Sequence, residues 1–329
     1  MKVRIILEPE IRETLTLEEA IIAVENSLVA FNSGRAILPG VINLNLPASE
    51  GEVHVKGAYI EGESHYVIKI ASGFYLNPSF GLPVSDGLML AFSAKNGQLE
   101  AVLFDHGYLT EMRTAAAGAV VAKYLARETI KRVGIIGSGT QARFQLRSLK
   151  AVRDFEEVAV WSRTPSHVLK YMEEMKIILP EVSFRMALSP EEAVRSADIV
   201  ITATPSRAPL VKGEWLSPGM HITAMGSDDP DKQELYPDVF LKADLVYADS
   251  LKQARSLGEI HHALEAGVID ETRITGEVGE IILGLKPPRT KEEEITLADL
   301  TGLGVQDAAV ATLVLTKAAA AGLGRSVDV

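Results

Sequence analysis

The stretch Lys131-Arg-Val-Gly-Ile-Ile-Gly-Ser-Gly-Thr-Gln-Ala142 constrains the fold more than any other part of this chain. Val133–Ile136 reads as a short buried strand that runs straight into Gly137-Ser138-Gly139-Thr140-Gln141-Ala142. Ala142, Leu146, Leu149 and Val152 then recur at near-helical spacing. This is G-x-G-x-x-A between a strand and a helix, the fingerprint of a dinucleotide fold. Gly137 permits a tight turn, Gly139 lets backbone approach a pyrophosphate, and Ala142 lets the helix lie close to the strand. The helix start offers unpaired N–H groups and partial positive charge to the phosphates. A purely structural glycine turn is the competing reading. It loses weight because a strand precedes the glycines and a helix follows them.

The rhythm on either side of the fingerprint differs. Downstream, strands are predicted at Val158–Trp161, Val182–Met186, Ile199–Thr202, His221–Ala224 and Leu245–Tyr247, alternating with helical stretches. That alternation implies a parallel, doubly wound sheet. Upstream, Thr16-Leu-Glu-Glu19 is a capping box opening a helix lined by Ala20, Val24, Leu28 and Phe31, with Gly34 as its stop. From Val41 to about Leu103, short β-rich runs alternate with turn residues, and Asn96-Gly97 between two apolar runs signals a hairpin. That texture predicts an antiparallel sheet. A small-residue helix is predicted over 114–126, and Ala308–Ala321 carries a terminal apolar stripe. The expected architecture is therefore α/β: a Rossmann-type doubly wound parallel sheet over 116–302, inserted into an α+β domain of 1–115 plus 303–329. Sites in such proteins are expected at the C-terminal ends of the parallel strands, between the two parts.

Composition narrows the function classes. The chain has 329 residues, long for one domain, and a net charge of −11, which argues against nucleic acid as a partner. It has no cysteine, so disulfides and thiolate metal sites are excluded. No apolar run approaches the roughly 18 residues that span a bilayer, and the N-terminal apolar run is too short for a signal peptide. A cytoplasmic location and no membrane partner are the expectation.

The acid that binds a ribose 2′-hydroxyl belongs at the end of the second strand, about 20 residues past the glycines. Here the chain reads Trp161-Ser162-Arg163-Thr164-Pro165. An acid would repel a 2′-phosphate, whereas Ser162, Arg163 and Thr164 would receive one. NADP(H) is favoured on that ground. NAD(H) remains the alternative, with Arg163 stacked on adenine. Thr202-Ala203-Thr204-Pro205, and Met225-Gly226 after the fifth strand, are placed to line the cofactor, although each also reads as a polar strand end.

Asp228 and Asp229 follow Gly226, and two neighbouring acids are not readily buried unless paired. Lys232, four positions after Asp228, is the candidate partner if the segment turns helically. Asp228 is the candidate general acid/base; the alternative is an exposed Asp-Pro turn. Arg113, just before Thr114 at the domain junction, is suited to clamp a carboxylate bidentately, or else forms a surface ion pair. Lys56 and Lys69 lie in the middle of β-runs, and alternation puts Lys69 opposite to Ile68 and Ile70. A lysine on an inner face calls for an anion nearby, which suggests a ligand role; the competing reading is a strand's solvent face. His261-His262 lacks the accompanying residues of a metal motif, so no metal is expected.

Together these residues carry a resemblance. Leu109-Thr-Glu-Met-Arg-Thr-Ala-Ala-Ala117, Gly137-Ser-Gly-Thr-Gln-Ala142, Gly226-Ser-Asp-Asp-Pro-Asp-Lys-Gln-Glu-Leu235, Gly276-Glu-Val-Gly-Glu280 and Ile295–Asp307 resemble the ornithine cyclodeaminase/μ-crystallin family along nearly the whole chain. The resemblance implies a homodimer built through the non-Rossmann domain, one NAD(P) per subunit, and a small-molecule substrate. It implies Asp228 as catalytic acid/base, Lys69 and Arg113 as holders of the substrate carboxylate, Lys232 as an organiser of the cofactor site, and Thr301 on a loop touching the substrate.

The chain departs from the cyclodeaminase pattern. Pro39-Gly-Val-Ile-Asn43 has no arginine, Lys56 stands where those enzymes have an acid, and Ser162 replaces an aspartate. Gly51–Tyr59 and Ser72–Ser79 look closer to the ectoine-utilisation branch. The reading favoured is an NAD(P)H-dependent imine (ketimine) reductase or amino-acid dehydrogenase. Ornithine cyclodeamination and a μ-crystallin-like NADPH-dependent ligand-binding protein are its rivals.

Overall fold

The computed structural model describes residues 2–329. The chain divides into two compact units, Met1–Arg113 with Leu303–Val329, and Thr114–Gly302. The helix Tyr108–Leu125 begins in the first and ends in the second.

In the first unit, eight strands form one sheet. Gly51–Ile60, His65–Phe74, Ser85–Ser93 and Leu99–Phe104 make the antiparallel meander the sequence predicts. Asn96-Gly97 turns the last hairpin, with Gly97 at φ +74°. Four further strands complete the sheet, among them the two-residue Ala36–Ile37, antiparallel to Gly51–Ile60. Lys2–Leu7 pairs parallel to Leu99–Phe104, Arg325–Asp328 pairs antiparallel to Lys2–Leu7, and Ile42–Leu46 pairs with Gly51–Ile60. The helix Leu17–Asn32 opens on the Thr16/Glu19 capping box. The helix Gly304–Ala321 packs across Gly51–Ile60 and His65–Phe74. A Cβ on Gly304 would lie 2.4 Å from the Gly57 carbonyl oxygen, so only glycine lets the helix start this close to the strand.

The meander inverts the usual distribution of side chains. One cross-strand row reads Ile42, Val55, Ile70, Leu88, and this face is partly exposed. The next row, on the inner face, reads Lys56, Lys69, Met89, Leu103, and all four are buried. Half-buried antiparallel sheets normally turn apolar residues inward and polar ones outward.

The second unit is an eight-stranded sheet in which every pair is parallel. Arg132–Ile136 lies between Glu157–Trp161 and Ile199–Thr202, so the chain reverses its direction across the sheet at the fingerprint strand. Thr296–Asp299 enters between His221–Ala224 and Leu245–Ala248, and a short Gly276–Glu277 closes the edge. These two strands were not anticipated. Thr296–Asp299 is buried throughout and Gly276–Glu277 is only two residues long, so neither shows a period-two alternation. The predicted helix over 114–126 starts earlier, at Tyr108, where the Asp105 carboxylate accepts from Leu109 N at 2.9 Å. The Ser189 hydroxyl caps the helix Pro190–Arg195 by accepting from Glu192 N, while the Glu192 carboxylate turns to Leu188 N and Arg185.

Candidate active site

The second unit builds a cradle from the fingerprint. Gly137 has φ +120°, and a Cβ there would lie 2.5 Å from the Ala203 carbonyl oxygen. Glycine is required on both counts. A Cβ on Gly139 would meet nothing within 4 Å, so the backbone there lies open for another group to approach. Gly139 is the N-cap of the helix Thr140–Lys150 and offers no side-chain cap, which leaves the first N–H groups without a partner from that position. Gly139 and Thr140 are exposed, Ser138 and Ala142 are buried and Gln141 is half-buried. Arg143 donates to the carbonyls of Ser138 and Gly139 and pairs with Glu174. Gln145 donates to the Thr114 carbonyl at 2.9 Å, so the fingerprint helix is tied to the helix that precedes it. These residues fit the diphosphate of a dinucleotide: open backbone, an uncapped helix start and no side chain in the way.

At the end of the second strand, Ser162 Oγ accepts from Thr164 N at 3.5 Å, and Arg163 is exposed. No carboxylate occupies this turn. Two further loops are fastened by a residue that sequence reasoning left without a role. Glu234 is fully buried, and its carboxylate accepts from Thr204 N at 2.6 Å, Thr204 Oγ1 at 2.7 Å and Gly226 N at 2.8 Å. It thereby joins the loop after Ile199–Thr202 to the loop after His221–Ala224. Ala203 and Met225 continue the backbone pairing of those strands. Burial pushes the Glu234 carboxyl up to about 7, against the hydrogen bonds from Thr202 and Thr204 that favour its ionised form. The signal in the sequence was an acid directly before Leu235, within an otherwise solvated-looking run.

Asp228 and Lys232 do pair, with Nζ 2.8 Å from Oδ1. The segment is not helical, contrary to the condition set above. Asp229 Oδ1 accepts from Asp231 N in an Asx turn, and the Lys232 carbonyl takes hydrogen bonds from Ser227 Oγ and His262 Nε2. Lys232 is buried, whereas the Asp228 side chain keeps 36% of its exposure. Thr301 lies in this unit, 2% exposed, with its hydroxyl donating to Asp249 Oδ1 at 3.0 Å and accepting from Gln253 Nε2 at 2.9 Å.

The first unit gathers the cations. Lys56 and Lys69 are directly opposed across two strands, and Arg113 stands on the helix Tyr108–Leu125. All three are buried, at 5%, 2% and 6% exposure. Their shared counter-ion is Asp307, in the first turn of the helix Gly304–Ala321. Arg113 Nε lies 2.9 Å from Asp307 Oδ1, and Lys69 Nζ lies 3.3 Å from Oδ2. Arg113 also donates to Gln306 Oε1 at 3.2 Å. Burial opposes ionisation of Asp307, but Arg113, Lys69 and Lys56 together hold its carboxyl below the usual range. Burial pulls Lys69 down to about 7; Asp307 resists, while Arg113 and Lys56 add to the fall. Like charges directly opposed on a sheet destabilise it. Buried cations are stabilised by anions close by, so a cluster of three is a place where an anionic group is well received. Asp307 was missed in the sequence because an acid in a helix's first turn also reads as ordinary dipole compensation.

The model of the Ornithine cyclodeaminase/mu-crystallin family matches residues 1–322. An uncharacterized cyclodeaminase of Sinorhizobium fredii is 44% identical over 319 residues, covering 96% of each chain. A solved archaeal alanine dehydrogenase dimer with bound NAD is 36% identical with a TM-score of 0.92, covering 100% of this chain and 99% of its own. The Δ1-pyrroline-2-carboxylate reductase of Thermococcus litoralis, solved with NADH and L-proline, is 32% identical with a TM-score of 0.94, covering 99% of this chain and 100% of its own.

Proposed function

The chain belongs to the ornithine cyclodeaminase/mu-crystallin family, and on that premise we propose that it is an NAD(P)H-dependent imine (ketimine) reductase or amino-acid dehydrogenase. Its substrate is a small 2-imino or cyclic imino acid. The observation that carries this reading is the cluster of Lys56, Lys69 and Arg113, buried around the carboxylate of Asp307. A substrate carboxylate suits this cationic surrounding, and Arg113 and Lys69 are the groups to hold it.

Gly137, Ser138, Gly139, Thr140, Gln141 and Ala142 hold the diphosphate, with Thr114, Ala203, Thr204, Met225 and Gly226 as the remaining cofactor contacts. When bound, a nicotinamide would supply the hydride that turns the C=N carbon into C–H, and the nitrogen would gain a proton. Asp228 donates or accepts that proton, directly or through a water it orients, and the Lys232 ammonium fixes its carboxylate. The cations that anchor the carboxylate also keep the imine oriented and polarised. Thr301 supports the substrate side of the site. NADP(H) is the favoured cofactor, because Ser162, Arg163 and Thr164 present no carboxylate to a 2′-phosphate.

A homodimer completes the assembly. Ile42, Leu44, Leu46 and Ile70 are 57%, 54%, 45% and 37% exposed on the outer face of the first unit's sheet. A continuous apolar face of this kind suits burial against a second copy. Among the described residues no helix is long and apolar enough to cross a membrane; a cytoplasmic enzyme is proposed.

The test is oxidation of NADH and NADPH, followed at 340 nm, with cyclic imino acids and with 2-oxo acids plus ammonia. Turnover with at least one of these, lost in Asp228→Ala while cofactor binding persists, is expected. Wild-type-like turnover in that variant would overturn the role of Asp228. The second reading is ornithine cyclodeamination, favoured by the Sinorhizobium fredii relative. Proline and ammonia formed from ornithine without net consumption of cofactor would establish it instead.

A further inference from the structure

The helix Gly258–Glu265, in the second unit, carries His261, His262 and Glu265. His261 is buried, His262 half-buried and Glu265 exposed. His261-His262 by itself matches no metal motif, and the sequence points to no metal there. The fold supplies a third donor. His261 and Glu265 stand four residues apart on one helix face, with Nε2 3.6 Å from Oε2. The two imidazole rings lie 4.0 Å apart between centroids. One nitrogen of each ring and a Glu265 oxygen fall within 4.8 Å of one another.

Backbone carbonyls fix the tautomer of both rings. A carbonyl only accepts, so His261 Nδ1–H donates to the Gly258 carbonyl at 3.1 Å and His262 Nε2–H to the Lys232 carbonyl at 2.8 Å. In a neutral imidazole the opposite nitrogen then carries the lone pair, Nε2 in His261 and Nδ1 in His262. Burial holds His262 below the ordinary imidazole value, which keeps it neutral at pH 7, and Asp231 adds negative potential beside it. A ring N–H anchored on a backbone carbonyl, with the other nitrogen left to bind, is the usual setting of a metal-bound histidine.

We propose that His261, His262 and Glu265 form a site for a divalent transition metal of the Zn2+ class, with water completing the coordination. Two imidazoles and a carboxylate are a zinc donor set. Ligand atoms around tetrahedral zinc lie about 3.4 Å apart, near the separation His261 and Glu265 already have. The exposed Glu265 side chain can swing to close the set. The role is structural. The His262 bond reaches the Lys232 carbonyl, which also accepts from Ser227 Oγ, so the ion fastens the end of the helix to the segment Gly226–Leu235. The site stands whether or not the enzymatic reading holds.

Protein without a histidine tag, stripped with EDTA, is titrated with Zn2+ in competition with a chromophoric chelator. One Zn2+ per subunit is expected to bind at micromolar free metal and to raise the melting temperature by about 2 °C or more at saturation. Mg2+ is not expected to compete, because hard cations take oxygen ligands. Loss of a group that merely orients a ligand weakens metal sites by about 10–100-fold. Loss of the ligand itself in Glu265→Gln is therefore expected to cost about tenfold or more in Zn2+ affinity. Glu265 is exposed, so this variant should fold like the wild type. Glu265→His sets two imidazoles four residues apart on one helix face and is expected to restore binding or tighten it. Absence of stoichiometric Zn2+ in the wild type, or an unchanged affinity in Glu265→Gln, would overturn the site.

Discussion

Lys69 Nζ and Asp307 Oδ2 sit 3.3 Å apart, each almost wholly buried, with Arg113 on the other oxygen of the same carboxylate. Removing one partner from a buried ion pair costs about 3–5 kcal/mol, because the remaining charge is stranded. Asp307→Asn takes from Lys69 and Arg113 the carboxylate they share. Its loss of stability in urea is expected to reach that range, and a saturating carboxylate ligand should recover part of it. An Asp307→Asn midpoint equal to the wild type's would show that the carboxylate does not hold this cluster together.

Lys69 also makes anion binding proton-linked. With its ammonium drawn down to about 7 by burial, it holds its proton less firmly than an ordinary lysine even beside Asp307. A carboxylate arriving beside it favours the charged form. Binding is therefore expected to take up a proton between pH 7 and 8. Calorimetric titration of the cofactor-loaded enzyme with pyruvate, without ammonia, in phosphate and in Tris reads this directly, since the buffers differ in ionisation enthalpy. Equal enthalpies in the two buffers would mean that Lys69 is already charged.

The two fingerprint glycines are expected to fail in different ways. Gly137→Ala forces a side chain into a positive-φ backbone and against the Ala203 carbonyl, 2.5 Å from its Cβ. Loss of fold stability is expected first. Gly139→Ala meets no protein atom within 4 Å. That variant should melt like the wild type yet bind NADPH at least tenfold more weakly, as the methyl fills the place of a phosphate. Fluorescence titration beside thermal melting separates the two, and tight binding in Gly139→Ala would remove the dinucleotide from this turn.

Much of this was readable from the sequence, and the gaps have physical causes. The fingerprint strand and helix carry their own signals: an apolar run, two glycines in turn and a helical stripe from Ala142 to Leu149. The alternation around Lys69 correctly put it opposite Ile68 and Ile70. It did not say which face was inside, and hydropathy alone would have chosen the isoleucines. Only the helix Gly304–Ala321, laid over the lysine face, decides this. Asp307 and Glu234 act through partners far away in sequence, which do not show in local pattern. Thr296–Asp299 was hidden for a related reason, since a strand buried on both faces has no period to detect.

Cofactor choice is expected to turn on Ser162. Placing a carboxylate there with Ser162→Asp offers two acceptors to a ribose 2′-hydroxyl and repels a 2′-phosphate. The ratio of kcat/KM for NADPH over NADH should fall at least tenfold, and Arg163→Ala should lower it by a smaller factor. An unchanged ratio in both variants would place the discrimination elsewhere.

Glu234 gives the second unit a pH dependence whose sign can be worked out. Burial raises Glu234 and Asp299 to about 7 in the fold, from 4.5 and 3.8, and Glu259 rises as well, with Glu234 and Asp299 adding to its burial. A carboxyl raised on folding binds more protons folded than unfolded, so its contribution is full below the unfolded value and is lost as pH climbs towards 7. His221 works the other way. Burial draws it from 6.5 to about 3, so its contribution is present above 6.5 and lost as pH falls. The two effects overlap between pH 4.5 and 6.5, and a plain pH scan mixes them. Comparison with Glu234→Gln separates them, because only one titration is removed. Relative to the wild type, this variant should gain stability between pH 5 and pH 8, by at most about 3 kcal/mol. Gln also turns an amide towards the N–H groups of Thr204 and Gly226, so it should be the less stable protein at pH 5, where Glu234 is neutral and well bonded. Parallel stability curves for the two proteins across pH 5–8 would mean that Glu234 keeps its ordinary acidity, and that the loops it joins are held by a full negative charge.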